Sequence, residues 1–107
     1  MTESVIISHL NNGPVIASVD ASQPVFIYYS GGILNSYSCK KNYNNHWVVI
    51  VGYSTDYYII RNSWGNSWGL ETLSTGESGK GYAYLSRHGD GNGICGVQMQ
   101  PRIVTTN

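Results

Sequence analysis

The sequence predicts a mainly β domain with little helix, and three observations carry that expectation. Thirteen glycines and nine tyrosines among 107 residues suit a turn-rich sheet and do not suit a helical bundle. The apolar runs at 47–51 and 57–60 flank a polar connection at 53–56 and read as the two arms of a β-hairpin. Val15–Val19 reads as a buried strand, and Tyr82–Ser86 alternates as a strand should.

Size and charge narrow the function classes. The 107 residues hold one domain, and 41% hydrophobic content supplies one modest core. Only 11% of residues are charged and the formal net charge is zero, so neither nucleic acid nor an anionic membrane is an expected partner. No apolar run is long enough to span a bilayer. Residues 1–13 lack the basic start, apolar stretch and cleavage site of a signal peptide.

The remaining elements follow in order. Glu3–Leu10 is expected to form a short helix despite the β-branched Val5, Ile6 and Ile7, and Asn11-Asn12-Gly13-Pro14 ends it. Residues 21–24 form a turn, and 25–29 fit a strand or a helical turn equally. Gly31-Gly32 is a breaker pair, and the polar stretch 35–45 is a loop. Residues 70–80 read as a surface-loop insertion and 88–93 as a turn run. Short closing strands are expected at 97–99 and 102–105.

The hairpin brings the chemistry together. Pairing its arms around 53–56 carries the His46 end toward the Asn62 end. A neutral imidazole accepts a proton from a nucleophile, and an amide oxygen holds the ring in one tautomer and one orientation. Trp64 follows closely and is placed to cover such a pair. Taken alone, these residues fit equally a surface histidine at a strand end and an Asn-Ser-Trp-Gly turn that closes the hairpin. Cys39 and Cys95 are the two cysteines, and composition alone leaves open whether they pair or remain free thiols.

The wider pattern decides between these readings. Asn45-His46, Val51-Gly52-Tyr53, Arg61-Asn62-Ser63-Trp64-Gly65 and Trp68-Gly69 together resemble the papain-like cysteine protease family. Gly13-Pro14-Val15, Tyr29-Ser30-Gly31-Gly32-Ile33 and Gly93-Ile94-Cys95-Gly96 keep the same order, so the resemblance covers nearly the whole chain, as the C-terminal half of that fold. It implies a single domain over residues 1–107: the β-rich half of an α+β fold, an antiparallel half-open barrel. It implies that His46 is the catalytic base and acid, that Asn62 orients it, and that Trp64 shields their bond. It also implies a Cys39–Cys95 disulfide, which would close a loop of about 55 residues, stabilise the domain by roughly 2–4 kcal/mol and suit an oxidising compartment, lysosomal, vacuolar or extracellular.

The resemblance also exposes what this chain lacks. The family's nucleophilic cysteine lies in a Cys-Gly-Ser/Ala-Cys-Trp type segment far upstream of the histidine, and nothing here matches it. Cys39 and Cys95 match the disulfide positions. The partner implied is a Cys-bearing N-terminal half, in the same precursor or a separate chain. The reaction implied is peptide-bond hydrolysis on a peptide or protein substrate, with this chain inactive alone. The alternative is a catalytically inactive papain-like module that binds a protein partner.

Two positions bear on specificity. Trp47 stands where the family carries a small residue on the wall of its main substrate pocket, and Ser18 falls at another wall position. Trp68 is expected in the core under the Asn62 turn. His9 and His88 read as ordinary side chains, and Asp90-Gly91-Asn92-Gly93 as a turn lacking the acidic positions of a calcium loop. His9, Cys39, His46, His88 and Cys95 lack zinc-ligand spacing, so neither metal nor cofactor is expected.

Overall fold

A computed structural model describes residues 3–35, 39, 44–64, 68–73, 76–87, 93–99 and 101–103. The chain opens with helix α1, Glu3–Leu10, whose Ile6 is fully buried while Glu3 sits in the first turn, where the helix dipole favours a negative charge. Burial of one apolar face offsets the weak propensity of its β-branched residues. Strand β1, Val15–Val19, follows, then a single helical turn, α2, Pro24–Ile27. The ambiguity at 25–29 is thus resolved as helix: Pro24 opens it, Tyr28 N–H donates to Pro24 O at 2.9 Å, and Phe26 is fully buried.

A six-stranded open sheet dominates the architecture. Its members are β1, β2 (Ile33–Leu34), β3 (His46–Tyr53), β4 (Tyr57–Arg61), β7 (Tyr82–Ser86) and β8 (Arg102–Ile103). The spatial order is β2-β7-β4-β3-β1-β8, antiparallel throughout except for β2 beside β7. The mainly β, antiparallel-rich expectation with little helix therefore holds. The expected hairpin is β3–β4, with a bulge between Ile50 and Gly52. Val51 falls at that irregularity and its side chain is exposed, whereas Val48 and Ile50 point into the core.

Three stretches differ from expectation. Residues 70–80 are not a loop insertion: β5 (Gly69–Thr72) and β6 (Ser78–Lys80) form an antiparallel hairpin closed by Leu73 N–H to Glu77 O at 2.8 Å. The hairpin is held by close backbone approach at its glycines, with Leu70 buried against Gly79, and such contacts leave no alternating pattern in the sequence. Residues 97–99 are not a strand. The 3-10 turn Ile94–Gly96 continues as turns, with Met99 N–H donating to Gly96 O at 3.0 Å. Positive φ at Gly93, Cys95 and Gly96 curls this segment while Val97 and Gln98 still reach the interior. Ile33–Leu34 adds a short strand beside the Gly31-Gly32 breaker, paired with Tyr84 and Leu85.

Of the expected turn at 88–93, only Gly93 is among the described residues; 104–105 and parts of 35–45 also fall outside them. The core lies between the inner face of the sheet and a cover made by α1 and the Cys95 turn. Tyr58, Ile50, Ile60, Val15 and Leu85 are fully buried there. The Cys39–Cys95 disulfide is formed, with a Cα–Cα distance of 4.8 Å, and both residues are buried. Tyr58 O–H donates to Gln98 Oε1 at 2.9 Å, so the buried phenol is satisfied.

Candidate active site

The site is built at the start of β3. Its first residue, His46, pairs across the ladder with Val19, the last residue of β1. Two asparagines hold the approach. Asn44 Nδ2 donates to Ser18 O at 2.8 Å, Ser18 Oγ at 2.9 Å and Gly96 O at 2.9 Å. Asn45 N–H donates to Val19 O at 3.0 Å, and its Oδ1 accepts from Ala21 N–H at 3.0 Å. The first of these side chains ties the strand start to the turn that carries Cys95.

Asn62 sits where β4 ends. Its backbone N–H donates to Gly81 O at 2.8 Å, which fixes the chain just past Arg61. Its side chain is buried, 5% exposed, and Oδ1 lies 2.8 Å from His46 Nε2. The same Oδ1 accepts from Ser63 N–H at 2.7 Å. That second bond fixes the amide orientation, because a flipped amide would set two donors face to face. His46 Nε2 must therefore donate. In the neutral ring this leaves Nδ1 with its lone pair, able to take a proton from a nucleophile.

Aromatic rings back the pair. The Trp64 ring lies 5.1 Å from the His46 ring, tilted 32° to it. Trp64 meets Phe26 edge-on at 5.5 Å and Trp68 edge-on at 5.6 Å. Trp68 is in the core as expected, 5% exposed, and its indole N–H donates to Phe26 O at 2.7 Å. Phe26, carried by that helical turn, is the supporting residue the sequence reading missed. A Pro-Val-Phe-Ile run holds no signal beyond its apolar character until the fold sets it beside two tryptophans.

Ser18 and Trp47 are direct cross-strand partners on β1 and β3. Ser18 is buried and its hydroxyl oxygen accepts from Asn44, whereas the Trp47 ring is 47% exposed with the Arg102 guanidinium 5.7 Å above it. Trp47 does not turn into the core. His9 is half-buried on α1, and His88 lies outside the described residues. Among the described residues, no three His, Cys, Asp or Glu side chains converge on a point suited to a metal. Neither cysteine is available as a nucleophile, since both are in the disulfide.

An imidazole oriented by a buried amide, on an antiparallel-rich sheet, is an arrangement able to take a proton from a nucleophile. Comparison with known proteins specifies the family. The model of the papain family cysteine proteases matches residues 1–105, and the chain belongs to that family. It is 36% identical over 97 residues to digestive cysteine proteinase 3 of Homarus americanus, covering 87% of this chain and 27% of that protein. It is 40% identical over 89 residues to cathepsin K of Mus musculus, covering 79% of this chain and 24% of that protein. Among solved structures, a cysteine protease of Carica candamarcensis in complex with E-64 superposes with a TM-score of 0.83 at 33% identity, covering 99% of this chain and 45% of that one. The bromelain protease from Ananas comosus in complex with E64 gives 0.74 at 31% identity, covering 96% and 46%. The chain thus spans about a quarter of these two curated relatives and under half of the solved chains.

Proposed function

We propose that this chain is the histidine- and asparagine-bearing C-terminal domain of a papain-family thiol protease. His46 acts as base and acid, Asn62 orients it, and Trp64 excludes water from their bond. The Cys thiolate comes from an N-terminal half of the same precursor or of a separate chain. The observation that carries this reading is the 2.8 Å contact between His46 Nε2 and Asn62 Oδ1, with Ser63 N–H fixing the amide. It leaves Nδ1 for the thiol.

The chemistry is acyl transfer. The thiol proton passes to His46 Nδ1, and the thiolate attacks the peptide carbonyl carbon. The imidazolium then protonates the leaving amine as the C–N bond breaks, leaving a thioester. Water, deprotonated by His46, hydrolyses the thioester and returns the thiol. Neither Cys39 nor Cys95 has a thiol to offer, so the 107 residues alone are inactive in this scheme. Trp47 and Ser18 are neighbours at the wall of the main specificity pocket, and the half-exposed indole narrows it. The buried disulfide favours an oxidising compartment, lysosomal, vacuolar or extracellular.

The test is labelling of native protein from its source with the epoxide E-64, followed by intact mass and peptide mapping. Adduct on a cysteine outside these 107 residues, lost in His46→Ala, is the expected result. Additional chain present with no adduct on any cysteine would sink the protease reading and leave a partner-binding module.

A further inference from the structure

Asn44 is a half-buried amide two residues ahead of His46, and its side chain reaches two other segments of the chain. Nδ2 is shared among three acceptors: Ser18 O at 2.8 Å and Ser18 Oγ at 2.9 Å on β1, and Gly96 O at 2.9 Å in the Cys95 turn. Two of these are carbonyl oxygens, which only a donor can satisfy, so the amide orientation is fixed. Asn44 Oδ1 is buried and meets no donor among the described residues. An oxygen left unsatisfied beside so well-placed a nitrogen marks a side chain held by its donor end.

The turn it grips is itself firmly held. Cys95 has a φ of +54°, in the left-handed region that residues other than glycine rarely enter, between Gly93 at +78° and Gly96 at +72°. Such a conformation persists where its surroundings over-determine it. The disulfide to Cys39 ties the Cys95 side chain, and Cys95 O accepts from Asp20 N–H at 2.8 Å. Gly96 O, the next carbonyl along, is the one that Asn44 holds. An unbroken path of bonds therefore runs from this turn through Asn44 to the start of β3, whose first residue is His46.

We infer that Asn44 is a positioning residue for His46, carrying the hold of the Cys95 turn to the strand end that presents the imidazole. This rests on the protease reading above and adds a residue on which the alignment of its base depends. Without the Asn44 amide, the approach to His46 keeps only the bonds of Asn45: its N–H to Val19 O at 3.0 Å, and its Oδ1 accepting from Ala21 N–H at 3.0 Å. Both lead to β1 and neither to the turn. His46 Nε2 lies 2.8 Å from Asn62 Oδ1, so a displacement of about 1 Å at the strand start takes that pair out of hydrogen-bond range.

The test is kcat and KM on a peptide substrate with the whole protease, with a thermal melt of every variant and kinetics taken below its melting range. Asn44→Ala is expected to lower kcat about tenfold while KM changes less than about twofold, because a displaced base slows the chemical steps. Asn44→Asp keeps the shape and loses both donors, so it is expected to fall at least as far. In an Asn62→Ala background, Asn44→Ala should cost less than about twofold more, since one alignment is not lost twice. The inference is overturned if Asn44→Ala leaves kcat unchanged, if Asp in its place keeps full activity, or if the Asn44→Ala loss adds in full to that of Asn62→Ala. E-64 labelling of the unaltered protein separates the two failures. An adduct beside any of those outcomes rejects only the role of Asn44, whereas no adduct rejects the protease reading itself.

Discussion

Replacing Asn62 by Ala removes one oxygen that accepts two hydrogen bonds, from Ser63 N–H at 2.7 Å and from His46 Nε2 at 2.8 Å. The two losses differ in consequence. Ser63 is exposed, so water takes its N–H, and the backbone bond from residue 62 to Gly81 O survives. Stability should therefore fall by about 1 kcal/mol or less. The imidazole loses the partner that orients it and that stabilises its charged form. A hydrogen bond to a charged group contributes about 1.5–3 kcal/mol, which at 1.36 kcal/mol per tenfold corresponds to roughly 10- to 150-fold in kcat/KM. The assay is kcat/KM on a peptide substrate with the whole protease, beside a thermal melt. A loss under about threefold with an unchanged melt would refute the orienting role. A matching loss of stability would make Asn62 a structural residue.

Other consequences are measurable on the same material. Removing the disulfide by Cys39→Ala with Cys95→Ala opens a loop with a sequence separation of 56, for which the chain-entropy relation gives about 4 kcal/mol, read as a lower urea midpoint. Gly69→Ala puts a Cβ at 2.4 Å from Tyr82 O at a φ of +107°, so a loss of about 3 kcal/mol or more is expected in the melt. Burial pushes the Tyr58 phenol well above its usual range, with the Glu3 charge adding to that and Arg87 opposing it. The unfolded phenol loses its proton near pH 10 and the folded one later, so native protein binds more protons there and stability falls as pH rises above about 10. Tyr58→Phe should flatten that alkaline decline in pH-dependent melts while losing the bond to Gln98 at neutral pH. Trp64→Ala should leave the fold intact, because the ring is 37% exposed, yet lower kcat/KM by admitting water to the His46–Asn62 bond.

Much of the site was legible because its parts are close in sequence and joined by one hairpin. An apolar arm, a short polar turn and a second arm suffice to bring His46 toward Asn62, since a β-hairpin has little topological freedom. Val15–Val19 and Tyr82–Ser86 were legible for local reasons: a short apolar run after the Gly13-Pro14 break reads as a buried strand, and alternation reads as a half-buried one. The pairing of Cys39 with Cys95 was suggested by resemblance and is present in the fold, although no local pattern implied it.

What the tertiary structure alone decided is what depends on partners far along the chain. The segment at 25–29 became a helical turn because Phe26 fills a space between Trp64 and Trp68. The segment at 97–99 is a turn because positive-φ residues and the disulfide curl it before Val97 enters the core. The stretch at 70–80 became a hairpin because Leu70 packs against Gly79 and Gly69 lies against the Tyr82 backbone, contacts that need no alternation. Asn44, joining β1 to the Cys95 turn two residues before His46, has no sequence signal at all. The residue types and order at the site were set by the sequence because neighbouring strands arrange them. The backing of Trp64 by Phe26 and the direction of the Trp47 ring were set by the fold, because each depends on segments distant in the chain: α2 for the one, β1 and β8 for the other.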